Sequence, residues 1–159
     1  MQKIKKLSAL LLAVVLMLVV MTGCGGGGGG YAPADGRATF VNLVNQARRE
    51  SYRSTLSRNA ELDEVAKSGM ELYTQYLDGT ISYAYMVATR NEFLKVSNDH
   101  ARYTFLEWYT VDSVENYYSG NYKFDLNDNI RTVSGDIIGV YATSYKGKMR
   151  ICAIIVDVY

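Results

Sequence analysis

The sequence predicts an α+β domain in which helices pack on a small antiparallel sheet. Three observations predict it. Apolar residues recur at helical spacing in two stretches between residues 36 and 78. Two β-branched and aromatic runs close the chain, Asp136–Thr143 and Lys148–Tyr159, and Tyr145-Lys146-Gly147 between them reads as a hairpin turn. The 159 residues, less a processed start, have room for one sizeable core and not two. Helices followed by a hairpin suit a layer of helices covering a sheet.

The chain opens on a basic stretch, MQKIKK, followed by fifteen uncharged residues, Leu7–Met21. That run is shorter than the roughly 20 residues a spanning helix needs, and small residues follow it, so 1–23 reads as a cleavable signal. Met21-Thr22-Gly23-Cys24 resembles the lipobox of bacterial lipoproteins, with Met where Leu is usual. The resemblance implies cleavage before Cys24 and a diacylglyceryl group on its sulfur. It therefore implies a lipid anchor on the extracytoplasmic face of the cell membrane, where each buried methylene contributes about 0.8 kcal/mol. Six consecutive glycines, Gly25–Gly30, make 24–35 a loose tether with a reach of about 20 Å. The segment 1–23 carries three lysines and no acid, so its removal takes the formal charge from +1 to −2. A near-neutral chain lacks the basic face that a nucleic-acid partner requires.

From Asp35, with Asp35 or Thr39 as cap, Phe40, Val41, Val44, Ala47 and Ser51 lie at helical spacing, flanked by Leu43. Arg48, Arg49, Arg53 and Arg58 gather at its end and in the loop beyond, and they read as a solvated face that suits the helix dipole. A second helix is predicted from the cap Asn59 to Leu77, with Leu62, Val65, Ala66, Gly69, Tyr73, Tyr76 and Leu77 inward and Asp78-Gly79 as the stop. Glu61, Glu64 and Glu71 fall outside that stripe and read as solvated. Ile81–Val87 alternates and predicts a short strand. A third helix is expected from Asn98 or Asp99 to Trp108 or Tyr109, with Ala101, Phe105 and Trp108 inward. Tyr117, Tyr118 and Tyr122, among Ser, Gly and Asn, predict a loop pinned by aromatics. Cys152 lies in an apolar run and reads as a buried hydrophobe.

Asn45 and Arg48 on the first helix, then Leu56, Asn59, Leu62 and Ala66, resemble the opening of the CAP superfamily (the SCP-like extracellular domain). Trp108 looks like that family's helix tryptophan, and Ile138–Ala142 like a strand that follows its second histidine segment. The resemblance covers 36–78 well and 135–158 loosely. It implies an α-β-α sandwich over 36–159, secreted or surface-bound. Metal-binding members present two histidines and two acids in a cleft, and the first histidine falls near Gly69 here. The single histidine, His100, precedes Trp108 instead of following it. One imidazole cannot supply a three- or four-ligand soft-metal site, so no cofactor is expected.

Asp125, Asn127, Asn129 and Asp136 echo the spacing of an EF-hand calcium loop. Ile130 stands where the sharp-turn glycine belongs, and Asp136 is one methylene shorter than the usual Glu. Asn and Asp are also ordinary turn residues ahead of a strand. No nucleophile elbow, phosphate loop or Cys-x-x-Cys is present. The leading expectation is a membrane-tethered, non-catalytic domain that binds a lipid, a wall fragment or a protein, with tyrosines supplying contact area. The alternatives are a hydrolase using His100 with Glu107, the acid beside Trp108, or with another nearby acid, and a structural lipoprotein without a small ligand.

Overall fold

A computed structural model describes residues 36–96, 99–119 and 128–159. The signal, Cys24, the tether, Asn98, Tyr122, Asp125 and Asn127 lie outside the described residues. In chain order the elements are α1 (Gly36–Glu50), β1 (Ser57–Arg58), α2 (Ala60–Leu77), α3 (Tyr83–Lys95), β2 (Ala101–Val111), α4 (Val114–Ser119), α5 (Asp128–Thr132), β3 (Ile137–Tyr145) and β4 (Lys148–Val158). The fold is α+β, with five helices among the described residues packed on one four-stranded sheet of order β1-β3-β4-β2. The sheet is mixed and not purely antiparallel as predicted, because the two-residue β1 pairs parallel with β3.

The closing hairpin forms where its sequence places it. Lys146 and Gly147 take φ of 49° and 77°, the left-handed pair that a two-residue turn between twisted strands demands. Central β4 is apolar on both faces because both faces are covered. Met149, Ile151, Ala153 and Ile155 meet Phe40, Val41, Val44 and Ala47 of α1, together with Tyr117 and Ile130. Cys152, Ile154 and Val156 point the other way, to Leu62, Val65, Ala66 and Met70 of α2 and to Met86 and Phe93 of α3. Helices thus cover both faces of the sheet, giving three layers. Burial pushes the Cys152 thiol well above its ordinary range, and the nearby Glu107 charge adds to the shift. It is a core side chain.

Helix α2 starts and stops as expected. The Asn59 carboxamide oxygen accepts from the N–H groups of Glu61 (2.9 Å) and Leu62 (3.0 Å). At the other end Gly79, at φ 73°, donates to the Tyr76 carbonyl and Thr80 donates to Gln75, closing the helix with a left-handed residue. The helix lies so close to β3 that a Cβ on Gly139 would stand 2.3 Å from the Leu62 carbonyl carbon. A Cβ on Gly69 would meet Cys152 Sγ at 2.9 Å. Position 69 has no room for an imidazole.

Four expectations are corrected. Residues 83–95 form helix α3 and not a strand over 81–87, since the Ser82 hydroxyl caps the Tyr85 N–H at 3.2 Å. Residues 101–111 form strand β2 and not a helix. An extra residue at Thr104 breaks the register between Tyr103 and Phe105, so one face carries Ala101, Tyr103, Leu106 and Trp108. The expected stripe of Ala101, Phe105 and Trp108 mixes the two faces, Phe105 lying in the core on the α1 side, and only its spacing mimics a helical period. Tyr117 belongs to the short helix α4 and is buried, with Gly36 against its ring. Arg48 is not solvated at all: it is 1% exposed. Its Nε donates to the Ser54 carbonyl (2.8 Å), and Nη1 donates to those of Ile130 (3.1 Å) and Val133 (2.9 Å). Burial lowers its pKa, and the Arg53 charge lowers it further. Arg49 and Arg53 are exposed as expected.

Candidate functional site

The C-terminal half of α2, the start of α3 and edge strand β2 converge on a row of four rings. Trp108 stacks on Tyr73 with centroids 5.1 Å apart and planes 15° from parallel. Tyr73 lies 6.1 Å from Tyr76, and Tyr76 meets Tyr83 edge-on at 5.8 Å. The row arises from local rules. Tyr73 and Tyr76 are three apart and share a helix face. The Asp78-Gly79 stop and the Ser82 cap then turn the chain so that Tyr83 comes back beside them. Trp108 is locked by its indole N–H, which donates to the Gly69 carbonyl at 2.9 Å. The rings are half-buried, except Tyr83 at the end of the row, which is 63% exposed.

These rings, with Met86, Val87, Arg90 and Glu107, line a cleft of about 270 Å³. Arg90 Nη1 lies 3.7 Å from Glu107 Oε2, both side chains roughly a quarter exposed. Arg90 Nη2 is 3.4 Å from Asn91 Oδ1, while its Nε is buried without a hydrogen-bond partner. The cleft therefore offers aromatic faces, a carboxylate and a guanidinium. A second, more open groove of about 380 Å³ lies between α2 and β3, lined by Met70, Glu71, Thr74, Gln75, Asp78, Tyr141 and Thr143.

His100 is exposed on the bend before β2, and its carbonyl accepts from the Tyr159 N–H at 3.0 Å. Six residues of extended chain lie between it and Glu107, a span of roughly 20 Å, so the structure does not bring the two together. Asn129 is exposed on α5. Asp136 is exposed too, and its Oδ2 accepts from the Val158 N–H at 2.9 Å, closing the end of the sheet. Among the described residues no group of three His, Cys, Asp or Glu converges as a metal site. No helix among them is long and apolar enough to cross a membrane.

Asn45 and Arg48, which carried the family resemblance, act as clamps. Asn45 exchanges two hydrogen bonds with the Leu56 backbone, at 2.9 and 2.7 Å, while Arg48 ties the loop after α1 to α5. Sequence reasoning placed Tyr73 and Tyr76 in the core and did not single out Tyr83 or Arg90. The available signal was Tyr73 and Tyr76 repeating across a helix stop from Tyr83. Compared with protein-family models, curated proteins and solved structures, the chain matches none.

Proposed function

We propose that the chain is a lipid-anchored extracytoplasmic protein whose CAP-like domain is a non-catalytic binding module, contacting its ligand at the cleft of Trp108, Tyr73, Tyr76 and Tyr83. The observation that carries this reading is the row of rings open to solvent at Tyr83 and ending on an Arg90–Glu107 pair. Aromatic rings with a polar tip provide large, stiff contact area, the property that makes Tyr and Trp prominent in recognition surfaces. Glu107 is held by an arginine and stands far from the single imidazole, an arrangement suited to binding and not to proton transfer. The three-layer architecture agrees with the sandwich implied by the CAP resemblance. The lipobox-like Met21–Cys24 supports this reading, since a lipid on Cys24 would hold the cleft within a short tether of the bilayer.

The test is co-sedimentation of the full chain, in detergent, with isolated and washed cell envelope. Retention that falls on Tyr83→Ala but not on Tyr85→Ala supports the reading. Tyr85 is a suitable control because it is also exposed, at 45%, and does not line the cleft. Equal retention of all three proteins, or none, contradicts it.

A further inference from the structure

We propose that the aromatic cleft takes one neutral sugar unit of a surface glycan, its C–H face against Tyr83 and its hydroxyls shared between Glu107 and Arg90. This inference rests on the cleft being the binding site and names the chemistry of its ligand. The size of the cleft sets the first limit. At about 270 Å³ it lies just below the ~300–1,000 Å³ range of ordinary small-molecule pockets, so it admits a single ring, with the remaining chain in solvent.

Charge sets the second limit. Arg90 and Glu107 are 3.7 Å apart and cancel one another, so a ligand with net charge of either sign meets one attractive and one repulsive partner. A hydroxyl is donor and acceptor at once. Vicinal hydroxyls can donate to the Glu107 carboxylate while accepting from the guanidinium, leaving the ion pair intact. Arg90 Nη1 stands 3.7 Å from Glu107 Oε2, beyond hydrogen-bond length, so a ligand hydroxyl beside the pair can accept from the guanidinium without breaking an existing hydrogen bond.

The third argument is shape. A pyranose has a polar rim and faces of polarised C–H groups, and the ring face of an aromatic is its negative side. Tyr83 offers such a face at the mouth, 63% exposed and buttressed edge-on by Tyr76 at 5.8 Å. Rings already held by stacking bind with little further ordering. A lipid tail would leave the Arg90–Glu107 pair buried without solvation, which disfavours it.

Trp108 is the only tryptophan in the chain and lies in the cleft wall, so its emission reports occupancy directly. The full chain in detergent is titrated with chitotetraose and cellotetraose as neutral glycans, tetragalacturonate as an anionic one, and anionic phospholipid vesicles. The proposal expects a saturable change with a neutral tetrasaccharide, weakened about threefold to tenfold by Tyr83→Ala and unchanged by Tyr85→Ala. Arg90→Ala is expected to weaken it at least as much, with circular dichroism checking that both variants remain folded. A saturable change only with tetragalacturonate or vesicles overturns the sugar while leaving the cleft as the site. No change with any probe, in a chain that still sediments with envelope through Tyr83, also overturns the sugar. A neutral-sugar response that survives Tyr83→Ala unaltered overturns the stacking geometry proposed here.

Discussion

Asp63 does three jobs from one buried position. Its Oδ1 accepts from the Val140 N–H at 2.8 Å, on the side of β3 where β1 has already ended. Its Oδ2 takes Arg58 at 2.7 Å and Arg37 at 3.4 Å. Asp63 is 4% exposed, so removing the carboxylate strands the Val140 backbone donor and takes one partner from each of two partly exposed arginines. Asp63→Ala is therefore expected to cost about 3 kcal/mol in urea unfolding; a loss below about 1 kcal/mol would reduce the network to a surface ion pair. Glycines separate in the same way. Gly139→Ala drives a methyl into the Leu62 backbone and is expected to cost about 3 kcal/mol or more, whereas Gly79→Ala faces open space and carries only the strain of φ 73°, about 1 kcal/mol. Equal effects for the two would contradict the close approach of α2 to β3. Neither Asp63 nor the inward turn of Arg48 was legible in the sequence, because charged residues on a helix read as solvated until a partner 70 or more residues away is known.

At the scale of elements, legibility followed the strength of the local signal. Helix α2 has a full apolar stripe, a capping Asn and a glycine stop, and its bounds were readable to a residue. The β3–β4 hairpin has β-branched arms around a turn that accepts positive φ. Helix α3 buries only Met86 and Phe93, a stripe too thin to show a period, while its first residues alternate like a strand. In β2 the spacing of Ala101, Phe105 and Trp108 imitates a helical period although the three lie on two faces of the strand. The same contrast predicts dynamics. Amide exchange is expected to be slowest in Ile151–Val156, all fully buried, and several orders faster in α3. Comparable protection in both would mean that α3 shares the core's cooperative unit.

At the scale of the whole molecule, the core holds Cys152, Tyr103 and Tyr109 neutral. Burial raises the Cys152 thiol from its ordinary 9.0 and the Tyr103 and Tyr109 phenols from 10.0. An unfolded chain sheds these protons near pH 9 and 10, and the folded one does not. Stability is thus fully present below about pH 9 and falls as pH rises, by about 1.4 kcal/mol per unit for each group. Thermal melting against pH checks this, and Cys152→Ala is expected to delay the onset by about one pH unit. An onset unmoved by that change would place the alkaline sensitivity elsewhere.

The aromatic cleft itself was half legible. Tyr73, Tyr76 and Trp108 stood in the sequence as core candidates and Tyr83 did not, and only the turn at Gly79 and the edge position of β2 bring the four into one open row. What the cleft meets depends on where the domain is held, and the proposed anchor rests that on one sulfur, Cys24. Intact-mass spectrometry of the protein extracted from bacterial membranes measures it directly. The account predicts a chain beginning at Cys24 and heavier by a diacylglyceryl group; a chain that keeps residues 1–23, or carries a free thiol at position 24, would contradict it.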